Sequence, residues 1–384
     1  MPIVVQKYGG SSVADLPRID ALAAAVVARA AAGAQLIVVV SAMGKATDQL
    51  IAQARQLAPD PSRRELDMLV SCGERSTMAL LSIAIQRRGQ AAISLTGSQS
   101  GIITDEQHQA ARIVGVRPQR VLAALAAGQV VIVAGYQGVS RSREITTLGR
   151  GGSDLTAVAL AAATGAEACE IYSDVDGVYS ADPAICPQAR LLPSLDYELM
   201  QGIAGAGARV LSAEAVAFAS RAGIVIEARR SGEVEGPHSR ISVDAPPPQG
   251  PVAVVGAGAV SLLRGPIARL PEAFWAELRA VGGRLMAAHD GAALVERSSV
   301  PGGAPEPVAA VAVAAGLTAE AMATVSVLGG ALLRLWPTGP WAAAVADVPV
   351  SALLAQERCI TFAVPAAAQA PLVRALHAAL LEAH

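Results

Sequence analysis

Aromatic residues are scarce in this 384-residue chain: three Phe, three Trp and five Tyr, 3% in all. With 53% of the residues hydrophobic, the core must be built from Ala, Val and Leu, which suits helices packed on a parallel sheet. Cysteine is equally sparse. Cys72, Cys169, Cys186 and Cys359 show neither a CxxC pair nor metal-ligand spacing, so reduced, mostly buried thiols are expected and no protein-held metal. Excess charge is lacking too: 30 Lys and Arg face 32 Asp and Glu, a net of −2, which argues against nucleic acid as a partner. The alanine-rich runs 21–34 and 157–163 are broken by charge or glycine, and no membrane span is expected. The start, MPIVVQKYGG, lacks the basic n-region of a signal peptide, and a cytoplasmic location follows as the expectation. At this length two or three domains are expected.

What the chain has in quantity is glycine at strand ends. The richest stretch is 145–154, ITTLGRGGSD, just ahead of the apolar helical run LTAVALAAA. Gly149, Gly151 and Gly152 let the backbone turn tightly and approach a ligand. A helix beginning near Ser153 or Asp154 aims free N–H groups and a positive dipole end at that ligand. Arg150 adds a fork of donors suited to a carboxylate or phosphate. Taken alone, the same residues also fit a tight strand–helix connection with Ser153 or Asp154 as its cap.

Similar turns recur along the first 230 residues. An apolar strand at 2–6 runs into Lys7-Tyr8-Gly9-Gly10-Ser11-Ser12, with a helix over 16–32. The strand 35–40 ends in Ser41-Ala42-Met43-Gly44, with Thr47 in the helix that follows at 46–57. An amphipathic segment, 62–88, carries Cys72-Gly73-Glu74-Arg75; Gly73 permits close approach and turns Glu74 inward, or Glu74 and Arg75 form an ordinary solvated pair. Further strands are expected at 91–95, 130–134, 168–172 and 224–228, and further helices at 116–127, 154–164, 197–202 and 212–222, with 140–147 as a loop. Strands alternating with helices, with ligand-type loops after the strands, describe an α/β domain with a mostly parallel sheet. The Pro-rich stretch 231–251 marks a boundary. Beyond it, short strands (252–255, 284–289, 292–296, 308–314, 323–328, 359–364) surround helices at 271–281 and 367–381, a pattern of two small α+β modules.

Lys7, Arg150, the glycine turns and a helix N-terminus supply positive potential and few groups able to act as nucleophile or base. The histidines (108, 238, 289, 377 and 384) sit outside these turns, so no Ser–His–Asp set is available. The Walker loop is absent as well, because Lys7 precedes its glycines. This combination suits phosphoryl transfer, where catalysis is mostly positioning and charge neutralisation. A carboxylate acceptor is already ionised at pH 7 and needs no base. Glu74 on an ammonium and Arg150 on a carboxylate together describe an amino acid.

The strings KYGGSSVA at 7–14, VVVSAMGKATDQL at 38–50, CGERSTMALL at 72–81, TTLGRGGSD at 146–154 and YSDVDGVYSADP at 172–183 resemble those of aspartate kinases, members of the amino acid kinase family. The resemblance is collinear over residues 2–231, and the tail from 251 resembles a pair of ACT modules. It implies a three-layer αβα sandwich with a mainly parallel sheet, followed by α+β, ferredoxin-like ACT modules. The implied division is a catalytic domain at 1–232, a Pro-rich linker at 233–250, and a paired regulatory and dimerisation region at 251–384. The implied reaction passes the γ-phosphoryl of ATP, with Mg2+ carried by the nucleotide, to the side-chain carboxylate of L-aspartate. It opens the aspartate-derived amino acid pathway, in a homodimer or higher homo-oligomer assembled through the tail.

By the same resemblance, Lys7, Gly9, Gly10 and Ser11 hold the transferring phosphoryl and Asp154 orients Lys7. Ser41, Thr47, Glu74, Arg150 and Ser153 hold aspartate. Ser173, Asp174, Tyr179 and Asp182 line the nucleotide site, and Arg209 replaces a family lysine. The chain departs from the family pattern at Ala184, where an arginine is usual, and at Ser212-Ala213, where His-Pro is usual. In the tail, Gly283-Arg284 and Pro349 fall where an effector-binding Asn is usual, which predicts weak or absent inhibition by lysine or threonine. A kinase for a different acceptor and a catalytically silent regulatory subunit remain the competing readings.

Overall fold

The apolar runs that read as buried strands form the spine of the first of two units. The computed structural model describes residues 2–233, 236–289, 291–297, 300, 303–336, 338 and 340–382. Val234 and Glu235, within the expected linker, and His384 lie outside the described residues. Met1–Val178, Pro193–Tyr197 and Val210–Ala245 make up the first unit; Tyr179–Leu192, Glu198–Arg209 and Pro246–His384 make up the second.

In chain order the first part of the fold runs β1 (Ile3–Tyr8), α1 (Leu16–Ala31), β2 (Gln35–Val40), α2 (Ala46–Leu57), α3 (Arg63–Gln86), β3 (Ala92–Leu95), β4 (Ile102–Thr104) and β5 (Ile113–Val116). Next come α4 (Gln119–Ala126), β6 (Val130–Ala134), β7 (Gln137–Ser140), β8 (Ile145–Thr147), α5 (Gly152–Thr164) and β9 (Ala168–Ser173). β10 (Ser194–Leu195), α6 (Tyr197–Gly205), α7 (Ala213–Ala222), β11 (Ile226–Arg230) and β12 (Ser239–Ile241) follow. Eight strands form one sheet in the order β10-β12-β11-β9-β1-β2-β6-β3, parallel except where β12 meets β11. One face packs Val38, Val40 and Ile132 against Ile19 and Leu22 of α1 and Leu81 and Ile85 of α3. α5 packs against β1, β2 and β9 and is buried on every side from Gly152 to Ala161, which makes it a core helix and completes a three-layer α/β/α stack. α3 is long and apolar enough to cross a membrane by length and composition alone, yet it packs along β3, β6 and α1.

Several local expectations were wrong, each for a physical reason. The helix expected at 116–127 begins only at Gln119, because Pro118 disfavours helical backbone at Arg117 and stands as the N-cap, and Ile113–Val116 is a strand. The loop expected at 140–147 ends in β8, which joins β5, β4 and β7 in a separate four-stranded sheet. Of the thiols, Cys169 and Cys186 are buried but Cys72 is exposed on α3. β12 lies inside the expected linker and is paired in the main sheet.

The second unit repeats one β-α-β-β-α order twice. The first pass is β13 (Pro251–Arg264), α8 (Glu272–Ala280), β14 (Arg284–His289), β15 (Ala292–Glu296) and α9 (Glu306–Ala314). The second is β16 (Thr318–Gly329), the short α10 (Leu332–Leu335) and α11 (Pro340–Val345), β17 (Ala352–Gln356), β18 (Cys359–Val364) and α12 (Ala366–His377). Both contribute to one antiparallel sheet, β14-β15-β13-β16-β18-β17, joined through β13 and β16. Residues 308–314 are helical where a strand was expected. Pro307 in the first turn and the buried positions Val308, Val311 and Ala312, three and four apart, override the β-branched composition. Ser180 belongs with this unit: its carbonyl accepts from Val254 N at 2.7 Å and its hydroxyl lies 2.9 Å from His377 Nε2.

Candidate active site

β1 is central in the large sheet, with β2 and β9 on either side. The chain moves from β1 to β2 in one direction, and β9 begins the run in the other, so the carboxyl ends of β1 and β9 flank a topological switch point. Lys7 lies there, in register with Val39 of β2 and Ile171 of β9. Its Nζ is 2.7 Å from Oδ1 of Asp154, in the first turn of α5. Asp154 Oδ2 accepts from Ser212 N at 3.2 Å, so the carboxylate that orients Lys7 is itself held.

The turn after β1 is drawn against the turn after β2. Gly9 N donates to Tyr172 O at 3.3 Å, and Gly44 N donates to Gly10 O at 3.1 Å. A side chain at Gly10 would bring Cβ to 3.0 Å from Ala42 O and 3.1 Å from Gly44 O, so it would press the two turns apart by a few tenths of an ångström. Ser11 follows in the short 3-10 turn Gly10–Val13, and Ser12 Oγ lies 2.6 Å from Ser231 Oγ.

Ser41, Ala42 and Thr47 lie beside α3. A Cβ at Gly73 would come within 2.8 Å of Ala42 Cβ and 3.7 Å of Thr47 Oγ1, so the close approach expected of this glycine is present. Glu74 turns inward. It is 3% exposed, Oε1 accepts from Ala42 N at 3.2 Å, and Oε2 is buried without a hydrogen-bond partner among the described residues. Burial pushes its carboxyl up to about 7, against the smaller opposing effect of its backbone hydrogen bonds. The solvated pair is excluded, since Arg75 donates instead to Gln137 Oε1. A buried carboxylate raised to about 7, with one oxygen unmatched among the described residues, is suited to a cation.

The turn before α5 closes the group. Gly149 and Gly151 have φ of 76° and 71°, and the helix starts at Gly152, one residue before Ser153 and two before Asp154, where its start was expected. Ser153 reaches the end of β6: a Cβ at Gly135 would stand 2.7 Å from its Oγ. Arg150 is exposed at the tip of the turn. Thus Lys7, Gly9, Gly10, Ser41, Thr47, Glu74, Ser153 and Asp154 belong to the carboxyl ends of β1 and β2, the turns after them and the helices that pack there, and the Arg150 turn joins β8 to the start of α5.

The residues expected to line the nucleotide site divide. Ser173 ends β9, its hydroxyl bonded to the backbone of Val175, and Asp174 is exposed beyond it. Tyr179, Asp182 and Arg209 fall in the second unit. There Tyr179 bridges Leu191, Asp182 Oδ1 accepts from Ala184 N at 2.9 Å, and Arg209 is exposed.

Two residues escaped the sequence reading. Tyr136 adopts φ 68°, with its amide donating to Thr156 Oγ1 at 3.2 Å, and burial raises its phenol pKa. Asp67, wholly buried on α3, gathers His108, Gln109 and Thr147 around one carboxylate. The signal was available, since Asp67 precedes Glu74 by two helical turns on one face.

The sequence profile of the amino acid kinase family matches residues 2–227. An aspartokinase of Mycolicibacterium smegmatis is 52% identical over 232 residues, 60% of this chain and 55% of its own length. An aspartokinase of Geobacillus stearothermophilus is 48% identical over 235 residues, 61% of this chain and 58% of its own length. The chain therefore spans little more than half the length of the curated relatives it matches. Among solved structures, E. coli aspartokinase III in complex with aspartate and ADP aligns over 98% of this chain and 99% of its own, with a TM-score of 0.83 at 22% identity, a likeness of fold. The aspartate kinase from Synechocystis aligns over 98% of this chain and 69% of its own, with a TM-score of 0.58 at 31% identity. With the profile spanning more than half its residues, the chain belongs to the amino acid kinase family.

Proposed function

We propose that the chain is an aspartate kinase. It transfers the γ-phosphoryl of MgATP to the side-chain carboxylate of L-aspartate, giving 4-phospho-L-aspartate and ADP. A carboxylate oxygen of the acceptor forms the new bond to phosphorus as the bond to the bridging β–γ oxygen breaks. The acceptor is already ionised, so no proton has to be removed and no general base is needed. Lys7 and the amides of Gly10 and Ser11 neutralise the charge on the transferring group, Gly9 giving its amide to Tyr172 O and letting the backbone approach, and Asp154 holds the Lys7 ammonium in line. Mg2+ enters with the nucleotide.

The observation that carries this reading is Glu74, whose buried, unpartnered Oε2 is matched by the ammonium of an α-amino acid. Arg150, on the turn that leads into Ser153 and Asp154, takes the α-carboxylate; Ser41, Thr47 and Ser153 supply hydroxyls between them. A silent regulatory subunit is disfavoured by Ser212, one of the departures from the family pattern. It caps α7, and its amide holds Asp154, so the altered position still supports the Lys7–Asp154 pair.

The same reading places the enzyme at the first step of aspartate-derived amino acid synthesis, in the cytoplasm, as a homo-oligomer assembled through the second unit, with weak or absent inhibition by lysine and threonine. A hydroxamate assay for aspartyl phosphate, run alongside ADP release with a panel of amino acid and acyl acceptors, tests it. Aspartate-dependent hydroxamate is expected. ADP release with another acceptor and none with aspartate would replace this reading with that of a different amino acid kinase.

A further inference from the structure

We infer that Asp67 is a positioning residue for the acceptor: from inside α3 it fixes the turn that carries Arg150. Its side chain is fully buried. Oδ1 accepts from Thr147 Oγ1 at 2.5 Å and from Gln109 Nε2 at 2.7 Å, and Oδ2 lies 2.6 Å from His108 Nδ1. Gln109 N also donates to the carboxylate, at 3.2 Å to one oxygen and 3.3 Å to the other. Asp is a poor residue for a helix interior, so its placement at this point of α3 is explained by these tertiary partners rather than by the helix. A buried carboxylate without such donors would be strongly destabilising.

The donors come from two separate segments, and Asp67 clamps them together. Gln109 is held at φ 69°, a conformation that residues other than glycine rarely adopt. Its carbonyl stands 3.2 Å from where a Cβ of Gly149 would be. Ala111 N donates to Thr147 O at 2.9 Å, and from the other side Leu148 N donates to Tyr136 O at 2.9 Å. Thr147, Leu148 and Gly149 are thereby fixed directly ahead of Arg150. The Tyr136 phenol bonds Thr147 and lies near enough to Glu74, Asp67 and Arg150 to feel all three charges, which ties the clamp to the acceptor side.

One rigid helix therefore sets both ends of the acceptor site. Glu74 meets the ammonium directly, while Asp67 sets the guanidinium for the carboxylate through Thr147 and Gln109. Errors of about 1 Å in such spacing are enough to lose most of the benefit of two-point binding. The identity of the ligand rests on the aspartate kinase reading; the clamp itself does not.

The test uses the full chain with Asp67→Asn, and with Gln109→Asn as a milder variant that tolerates the same backbone angle while withdrawing the amide donor. Both are expected to raise KM for aspartate about tenfold, with KM for MgATP changed less than about twofold and kcat at saturating aspartate largely kept. Equal increases in both KM values, or an unchanged KM for aspartate in both variants, would overturn the inference. Hydrogen exchange reads the clamp without turnover: faster exchange is expected over 108–112 and 147–151 in either variant, with β1 and β2 unchanged, and unaltered exchange at 147–151 would overturn it. A parent enzyme that ignores aspartate would sink the proposed function, while the exchange result would still decide the clamp.

Discussion

The ammonium of Lys7 and the carboxylate of Asp154 lie 2.7 Å apart, joining the end of the central strand to the first turn of the buried helix α5. The chain has only two lysines, Lys7 and Lys45, and every other side chain in its count of 30 Lys and Arg is arginine. At this strand end the chain uses a compact ammonium, a point charge, in place of the planar fork of donors it uses almost everywhere else.

Lys7→Ala should lower kcat by about a thousandfold, the scale of losing one principal charge-stabilising donor. The fold should persist, with a stability loss of roughly 1–3 kcal/mol because Asp154 loses its cation and keeps the Ser212 amide. Lys7→Arg should also be poorly active. Turnover assays together with thermal melts check both; a Lys7→Ala enzyme with near-parental kcat would remove Lys7 from the chemistry.

Glu74 makes acceptor affinity and stability respond to pH in opposite senses. Because burial raises its carboxyl to about 7 from a reference of 4.5, the folded state binds a proton more tightly than the unfolded state does. Its contribution to stability therefore declines as pH rises from about 4.5 to about 7 and is flat above that. Glu74→Gln should be more stable than the parent at pH 8, by at most on the order of 3 kcal/mol, and should converge with it near pH 4.5. The parent's KM for aspartate should rise as pH falls below 7, because a proton competes with the substrate ammonium. The Gln variant should bind aspartate far more weakly and lose that pH response. Melting curves and KM measured across pH 5–8 separate the two effects.

Gly73→Ala should weaken the protein despite improving helix propensity by about 1 kcal/mol. The new Cβ would lie 2.8 Å from Ala42 Cβ, which cannot swing aside, so the Ala42 backbone must move and its amide leaves Glu74 Oε1. A lower melting temperature and about a tenfold higher KM for aspartate are expected. An unchanged KM would detach Ala42 from the acceptor site.

Ser212→Ala should cost about 1 kcal/mol through loss of the α7 cap while leaving kcat nearly unchanged, because Asp154 is held by the Ser212 amide and not its hydroxyl. Denaturant midpoints and steady-state rates measured on the same preparation check this.

Millimolar lysine and threonine, singly or together, should leave the rate close to that of the uninhibited enzyme. Arg284, at the first of the positions where an effector-binding Asn is usual, is bound to Glu296 and donates to Gly205 O at 3.2 Å. Pro349, at the second, lies outside β17 and offers no N–H. Strong inhibition in an initial-rate assay would show that the second unit binds effectors in another way.

Local chemistry was readable wherever a rule acts within a few residues. The strand Gln35–Val40 and the helix Ala46–Leu57 fall where apolar runs and breakers put them, and Gly73 beside Glu74 marked a close approach. Where two short-range signals compete, the stronger decides the element. Pro118 moved the start of α4, and the spacing of Val308 and Val311 made a helix of a β-branched run.

By itself the sequence determined the alternation of strand and helix, the glycine turns at the strand ends, and a set of charged side chains suited to two acidic molecules. Each of these follows from periodicity, capping and backbone freedom, which depend on near neighbours alone. Only the tertiary structure decided that Asp154 meets Lys7, that Glu74 keeps a buried oxygen unpartnered among the described residues, and that Asp67 draws His108, Gln109 and Thr147 together. Those contacts join segments far apart in the chain. They depend on which strands lie side by side and on how far water is excluded, and neither is written in any short stretch of residues.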